Sequence, residues 1–91
     1  NADIDITREE MALILYNYAS SHGINIPENN PRETFKDNVE ISGAAREAVY
    51  ALQQAGIING MGDGTFKPKN TATRAQVAQI YMKAMETLKK S

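Results

Sequence analysis

Apolar residues recur along this chain at helical spacing in three segments, which are separated by stretches rich in proline, asparagine and glycine. The pattern predicts helices over residues 7–21, 42–55 and 73–89. The first segment is apolar on nearly all sides, which is typical of a helix buried against several neighbours. We therefore predict an all-α fold, a small bundle of three main helices joined by a long loop and a Gly-rich turn.

Signals for the helix ends accompany these patterns. Thr7 and Glu10 are spaced as a capping box at the start of the first helix, and Thr73 and Gln76 have the same spacing at the start of the third. Gly56 follows the second helix, which predicts a left-handed residue and a Schellman ending there.

Two irregular connections link the helices. We expect Gly23 to end the first helix in the left-handed conformation, and residues 24–34 to form a long loop with two prolines. Three glycines within residues 60–64 predict tight turns. One or two residues of β pairing across Asp63-Gly64 fit this pattern.

Composition excludes several classes of protein. A chain of 91 residues holds one small domain, and its net charge of −1 offers no basic face for nucleic acid. The absence of cysteine excludes disulfides and thiolate metal sites. No apolar run is long enough to cross a bilayer, so we expect no membrane insertion. No signal peptide is present, which indicates a mature segment or a fragment.

No constellation of catalytic residues stands out. The single histidine, His22, has no partner at metal-ligand or nucleophile spacing. Glu9 and Glu10 point to different helix faces and cannot straddle a glycosidic bond. Asp63 lacks the further acidic ligands of a calcium loop. We therefore predict no enzyme, no metal and no cofactor. About seventeen residues separate the second and third helices, which excludes a helix-turn-helix DNA binder.

The first and third helices match each other. Thr7 aligns with Thr73 and Arg8 with Arg74, an offset of 73 − 7 = 66 residues. Such repeats need neighbours to bury their apolar faces. We predict one compact domain in two parts: residues 1–34 are the last helix of a preceding repeat with its connecting loop, and residues 35–91 are a complete repeat.

The complete repeat carries five short motifs in order. They are Phe35-Lys36-Asp37, Ala45 through Leu52, Gly56-Ile57-Ile58-Asn59-Gly60, Gly62-Asp63-Gly64-Thr65-Phe66 and, after Pro68, Thr73-Arg74-Ala75-Gln76. In this order they resemble one S-layer homology (SLH) repeat, and Ile6-Thr7-Arg8-Glu9 resembles the end of the preceding one. Each motif alone is common, whereas five in sequence are specific.

The resemblance implies a non-catalytic module of an exported protein from a Gram-positive or similar bacterium. Such modules bind secondary cell-wall polysaccharide, often carrying a pyruvate ketal, and anchor the protein outside the cell at the cell wall or S-layer. They commonly occur in sets of three that pack around a shared bundle, so neighbouring repeats are expected partners. The alternative is a structural interaction module that no longer binds glycan. Ala44, where the family usually has tryptophan, favours this alternative.

The resemblance also implies which residues bind the glycan. The family's key arginine corresponds to Arg74 and, in the partial repeat, to Arg8. The expected glycan-binding residues are Arg74, Asp63, Gly64, Thr65, Gln76 and Arg8. A guanidinium in the first turn of a helix could grip a carboxylate in a bidentate way. The alternative for Arg74 is a structural role, in which it bonds loop carbonyls near the Gly-rich turn. Gln76 departs from the acidic residue of the family motif.

The apolar first helix also predicts self-association. Only one neighbouring repeat is available to cover it, and large apolar surfaces seldom stay exposed on a monomer. We expect a homodimer or homotrimer with Leu13, Leu15 or Tyr16 in the contact.

Overall fold

A computed structural model describes residues 3–88, with the side chains of residues 5–88. Its elements are strand β1 (Asp3–Thr7), helix α1 (Arg8–Ser21), a short 3-10 turn (Asn38–Glu40), helix α2 (Gly43–Gln54), strand β2 (Thr71–Thr73) and helix α3 (Arg74–Thr87). The predicted all-α class is confirmed, because three helices make the fold and the described residues add only a two-stranded sheet. The helix bounds agree with the prediction to within two residues; residue 89 of the predicted third helix lies outside the described residues.

Both predicted capping boxes are present. At the start of α1 the Glu10 amide donates to the Thr7 hydroxyl (3.2 Å), and the Thr7 amide donates to the Glu10 carboxylate (2.8 Å). At the start of α3 the Gln76 amide donates to the Thr73 hydroxyl (3.1 Å), and the Thr73 amide donates to Oε1 of Gln76 (2.9 Å). A glutamine oxygen accepts this bond as a carboxylate does, so the departure from the family's acidic residue leaves the cap intact.

The two helix endings are also as predicted. Gly23 after α1 has φ +65° and Gly56 after α2 has φ +80°. The Ile57 amide donates to the Leu52 carbonyl at 3.0 Å, and the Gly56 amide donates to the Gln53 carbonyl at 3.1 Å. These are the two bonds of a Schellman motif, which turns the chain sharply out of α2.

The extended segments that lead into α1 and α3 pair with each other as antiparallel strands. Asp3 lies opposite Thr73 and Thr7 lies opposite Thr71, with an irregularity between the two pairs. These strands were not predicted, although Asp3–Thr7 alternates polar and apolar residues. The partner strand has only three residues, and the two segments are distant in the chain. The sheet brings the starts of the two matching helices side by side.

The predicted β pairing across Asp63-Gly64 does not develop into strands. One backbone hydrogen bond closes this turn, from the Met61 amide to the Thr65 carbonyl (2.8 Å). Asp63 satisfies the Thr65 amide with its own carboxylate (3.0 Å), so the turn is held by a side chain instead of a ladder.

The core lies between α1, α2 and the loop that follows α2. Alanines on the facing sides let α1 and α2 approach closely, and the rings of Phe35 and Phe66 lie 5.3 Å apart beneath the loop. The buried residues of the two helix faces are Met11, Ala12, Leu15 and Ala19 on α1, and Ala45, Ala48, Val49 and Leu52 on α2. Helix α3 is packed less deeply, with Ala84 as its one buried residue and Leu88 buried just after it.

The burial of α1 corrects the prediction that Leu15 contacts a partner chain. Leu15 is only 4% exposed and lies in the chain's own core, so it cannot contact a partner. Leu13 and Tyr16 are partly buried against the same core. The large apolar side chains that α1 does expose are Ile14 and Tyr18.

Gly60 is a position where the fold requires glycine for space. A Cβ there would lie 2.7 Å from the Phe35 ring and 2.9 Å from the Thr65 carbonyl oxygen. We expect Gly60→Ala to lower the free energy of unfolding by about 1–3 kcal/mol, the usual cost of overpacking. Gly43→Ala is the matched control, since a Cβ at this first position of α2 meets nothing within 4 Å. Urea denaturation that ranks the two variants equally would contradict this packing argument.

Candidate functional site

The loop that follows α2, residues 56–66 and here called the Gly-rich loop, lies against the start of α1. Arg8, in the first turn of α1, reaches under it. Its Nε donates to the Phe66 carbonyl (2.8 Å) and its Nη2 donates to the Asn59 carbonyl (2.6 Å). The guanidinium also lies 4.6 Å from the centre of the Phe66 ring. One arginine of α1 therefore holds two points of the Gly-rich loop, which is distant in the chain.

Burial of the Arg8 guanidinium lowers its pKa, and the nearby negative charge of Asp37 partly offsets this. Arginine stays protonated over the whole working pH range, so the group remains a donor of hydrogen bonds. Arg8 is 7% exposed, and these contacts make it part of the support of the loop.

Asp37 holds the end of the same loop from the other side. Its Oδ1 accepts from the Phe66 amide (2.9 Å) and its Oδ2 accepts from the Lys67 amide (2.8 Å). Lys67 has φ 59°, a left-handed conformation that is uncommon for a residue with a side chain. Burial by itself raises the pKa of the Asp37 carboxyl, but the bonds from the Phe66, Lys67 and Asp37 amides and the charge of Lys67 together outweigh it, so the pKa lies below the ordinary value.

A second carboxylate, Glu9, ties α1 to the start of α2. Its two oxygens accept from the Ser42 amide (2.9 Å) and the Ser42 hydroxyl (2.7 Å). Lys69 donates to the same carboxylate at 2.7 Å and to the Ser42 hydroxyl at 2.6 Å. Burial raises the pKa of Glu9, but the bonds from Lys69 and Ser42 lower it by more. No role was predicted for Glu9, since its partners lie 33 and 60 residues away.

The turn residues predicted to bind glycan lie at the tip of the loop. The Asp63 carboxylate accepts from the Thr65 hydroxyl (2.6 Å) and the Thr65 amide, which lowers the pKa of Asp63. Gly64 has φ +90° and packs against the side chain of Lys36. Asp63 and Thr65 therefore stabilise the turn, and Gly64 borders a depression beside it.

A groove of about 380 Å³ runs between the Gly-rich loop and α3. Its walls are about equally polar and apolar, and the polar part includes carboxamides from both sides and one lysine. The lining residues are Gly56, Ile57, Asn59, Gln76, Gln79, Ile80 and Lys83. Amide groups both donate and accept hydrogen bonds, as sugar hydroxyls do, and the lysine adds a positive charge. The groove could therefore bind a hydroxylated and acidic ligand.

Asn59 borders two further depressions as well as the groove. One, of about 250 Å³, is lined by Gly60, Gly62 and Gly64 among others. The second, of about 540 Å³, lies against residues 30–33. Sequence reasoning did not select Asn59. The feature that could have drawn attention to Asn59 is its place in the sequence. Asn59 is an exposed polar residue between the buried Ile58 and the tightly packed Gly60, and these two neighbours hold it in position.

The structure thus separates the predicted site residues. Gln76 lines the groove, Gly64 lines the neighbouring depression, and Asn59 lies between them. Arg8 is buried beneath the loop. Arg74 is exposed in the first turn of α3 and lies outside the lining of the groove.

Among the described residues, no three His, Cys, Asp or Glu side chains cluster as a metal site would require. The described helices also include none of the length and apolar character needed to cross a bilayer.

Comparison with known proteins identifies the family. Residues 34–78 match the model of the S-layer homology domain. These residues belong to the S-layer homology family. The match covers the motifs from Phe35 to the first turn of α3, including the Gly-rich loop and most of the residues that line the groove. The predicted resemblance is confirmed.

Several curated proteins share this SLH segment. The Surface-layer 125 kDa protein of Lysinibacillus sphaericus is 47% identical over 47 residues, 52% of this chain and 4% of that protein. An amylopullulanase of Thermoanaerobacterium thermosulfurigenes is 38% identical over 81 residues, 89% of this chain and 4% of the enzyme. The exoglucanase XynX of Acetivibrio thermocellus is 38% identical over 84 residues, 89% of this chain and 8% of the enzyme. No solved structure gives a significant match.

The chain therefore spans less than a tenth of the length of these relatives. The SLH domain is a non-catalytic anchoring module of cell-surface proteins, and such proteins are associated with the cell wall. The expected localisation is confirmed.

Proposed function

We propose that the chain binds secondary cell-wall polysaccharide in the groove between the Gly-rich loop and α3, and so anchors the protein that carries it. The observation that carries the proposal is the lining of this groove. Three carboxamide residues, Asn59, Gln76 and Gln79, line this groove. Lys83 is the one cation among its lining residues. This set of groups matches a polymer of hydroxyls that also carries negative charge.

The supporting residues fit this role as well. The backbone carbonyl of Asn59 is held by Arg8, and the Gln76 carboxamide is held by the Thr73 amide. Two lining residues are therefore fixed before a ligand arrives, which reduces the entropy lost on binding. Asp63 and Thr65 contribute by fixing the turn that carries Gly64.

The charge of Lys83 provides a first test of the groove. We expect Lys83→Ala to weaken binding to purified secondary polysaccharide about tenfold, the usual effect of losing one charge-assisted hydrogen bond. Lys83→Arg should retain most of the affinity, and Met82→Ala, at the neighbouring exposed position, should retain all of it. Isothermal titration calorimetry provides the measurement. Equal affinities of Lys83→Ala and the unmodified chain would exclude this groove as the site.

A second pair of variants tests whether the bound polymer is acidic. Gln79→Ala removes a carboxamide, and Gln79→Glu puts a negative charge in nearly the same volume. An acidic polymer, such as one bearing pyruvate ketals, should bind Gln79→Glu more weakly than Gln79→Ala because like charges repel. A neutral polymer should bind the two variants about equally, and that result would refute pyruvylation as the recognised feature while leaving the groove as the site.

We also propose that self-association, where it occurs, uses exposed apolar residues. Ile14 is 53% exposed and borders an open apolar depression with Leu13. Sedimentation velocity of the unmodified chain and of Ile14→Ser tests this; a monomer in both cases would show that the chain does not self-associate.

A further inference from the structure

Asn59 precedes Gly60 at the place where the groove meets the neighbouring depressions, and this is the one Asn-Gly pair of the sequence. Glycine has no side chain, so it offers its backbone nitrogen to the preceding carboxamide with the least hindrance. Asn59 is exposed, and within residues 5–88 neither its carboxamide nor the Gly60 amide has a hydrogen-bond partner in the protein. The two groups are therefore available to react with each other.

We propose that Asn59 deamidates spontaneously in the folded chain and that the carboxylate so formed weakens the binding of acidic polysaccharide. The Gly60 nitrogen loses its proton and attacks Cγ of Asn59, and the new C–N bond closes a succinimide ring. The side-chain nitrogen takes up that proton and leaves as ammonia, and water then opens the ring to aspartate or isoaspartate. The net change is the uptake of water and the release of ammonia, and both products carry a carboxylate.

The hydrogen bond from Arg8 favours this attack. Its Nη2 donates to the Asn59 carbonyl at 2.6 Å, and this carbonyl belongs to the same peptide group as the Gly60 nitrogen. When that nitrogen loses its proton, the negative charge spreads onto the carbonyl oxygen, where the guanidinium stabilises it. Gly60 itself is held between Phe35 and Thr65, so the exposed Asn59 side chain makes the approach by rotating.

Asp63-Gly64, the other pair of the loop that could close such a ring, is protected. The Asp63 carboxylate already accepts from the Thr65 amide and hydroxyl, at 3.0 and 2.6 Å. These bonds lower the pKa of Asp63, so the group stays ionised near neutral pH and has no good leaving group. The contacts of the loop therefore direct the reaction to Asn59.

Deamidation changes the charge of the groove. Lys83 is the one cation among the lining residues, and none of them is acidic. A carboxylate at position 59 cancels this positive charge, and like charges then repel an acidic polymer. The effect on binding rests on the proposed function, whereas the reaction depends on the chain alone.

Peptide mass spectrometry tests the reaction. The folded chain and the chain unfolded in guanidinium chloride are incubated side by side at mildly alkaline pH, and conversion of a carboxamide to a carboxylic acid adds about 1 Da. We expect the mass gain at Asn59 to be no more than about tenfold slower in the folded chain, since the reacting groups need no opening of the fold. Asn59→Gln is the matched control, because glutamine would have to close a larger ring and reacts more slowly. A folded chain that keeps Asn59 intact while the unfolded chain reacts, or an equal mass gain in Asn59→Gln, would overturn the proposal.

Two variants test the effect on binding. Asn59→Ala and Asn59→Asp both lose the carboxamide, and only Asn59→Asp adds the charge of the reaction product. We expect isothermal titration calorimetry to show at least about tenfold weaker binding of purified secondary polysaccharide by Asn59→Asp than by Asn59→Ala. Equal affinities of these two variants, together with weaker binding by Lys83→Ala, would leave the groove as the site and refute the effect of deamidation on it. Equal affinities of Lys83→Ala and the unmodified chain would refute the groove itself, whereas the mass gain at Asn59 is measured without polysaccharide.

Discussion

Replacing Asp37 by alanine is expected to lower the free energy of unfolding by about 2–4 kcal/mol. The carboxylate accepts hydrogen bonds from two consecutive backbone amides, Phe66 and Lys67, at 2.9 and 2.8 Å. Bonds to a charged group each contribute about 1.5–3 kcal/mol, and their loss leaves the buried Phe66 amide without an acceptor. The left-handed Lys67 also loses the contact that holds it.

Urea denaturation of three variants measures this effect. Asp37→Asn keeps one acceptor oxygen and should lie between the unmodified chain and Asp37→Ala. Asp63→Ala is the matched control, because Asp63 also accepts a backbone amide but lies on the surface. A loss in Asp63→Ala as large as that in Asp37→Ala would mean that burial of the carboxylate is not the cause.

Stability should depend on pH through the same group. The pKa of Asp37 is lower in the folded chain than in the unfolded chain, where a free aspartate titrates at about 3.9. The unfolded state therefore binds the proton first as the pH falls. The stabilisation by Asp37 is complete above about pH 5 and is lost as the pH falls through the lower pKa of the folded state. Asp37→Asn should lose stability less steeply between about pH 5 and pH 2.

Replacing Arg8 by alanine is expected to cost about 2–4 kcal/mol and also to weaken glycan binding. The side chain holds the Phe66 and Asn59 carbonyls and covers the Phe66 ring, so its removal leaves two acceptors and an aromatic face without a partner. Because Asn59 lines the proposed groove, its displacement should reduce affinity for the polysaccharide as well. Arg8→Lys should rescue little, since an ammonium lacks the planar fork that reaches both carbonyls.

Arg74→Ala provides a control within the same motif. Arg74 occupies the same helical position but is exposed, and surface substitutions usually change stability by less than about 0.5 kcal/mol. Thermal unfolding of Arg8→Ala and Arg74→Ala should therefore differ by several degrees. Equal midpoints would show that the contacts of Arg8 with the loop contribute no stability.

Much of the fold could be predicted from local signals. The capping boxes at Thr7 and Thr73 and the glycine ending at Gly56 each involve residues within six positions of one another, so the sequence displays them directly. The match between α1 and α3 is also a local signal, because each helix start has Thr-Arg followed two positions later by Glu or Gln.

The rest depends on contacts between residues distant in the chain. Arg8 and Arg74 both follow a capping threonine, yet only Arg8 has a Gly-rich loop to hold within the described structure. The sequence analysis left open a structural role for Arg74, in which it bonds loop carbonyls near the Gly-rich turn. In the structure it is Arg8 that bonds such carbonyls. Asn59 and Glu9 were missed for the same reason, since each acquires its role from partners that no local pattern reveals.

Co-sedimentation with bacterial sacculi tests whether this SLH module binds secondary cell-wall polysaccharide. Sacculi are prepared in two forms, intact and after acid extraction of the secondary polysaccharide, and incubated with the unmodified 91-residue chain and with Lys83→Ala. We predict that the unmodified chain sediments with intact sacculi, stays in solution with extracted sacculi, and loses most of its retention in Lys83→Ala. Equal sedimentation with both forms of sacculi, or none with either, would contradict binding of the secondary polysaccharide.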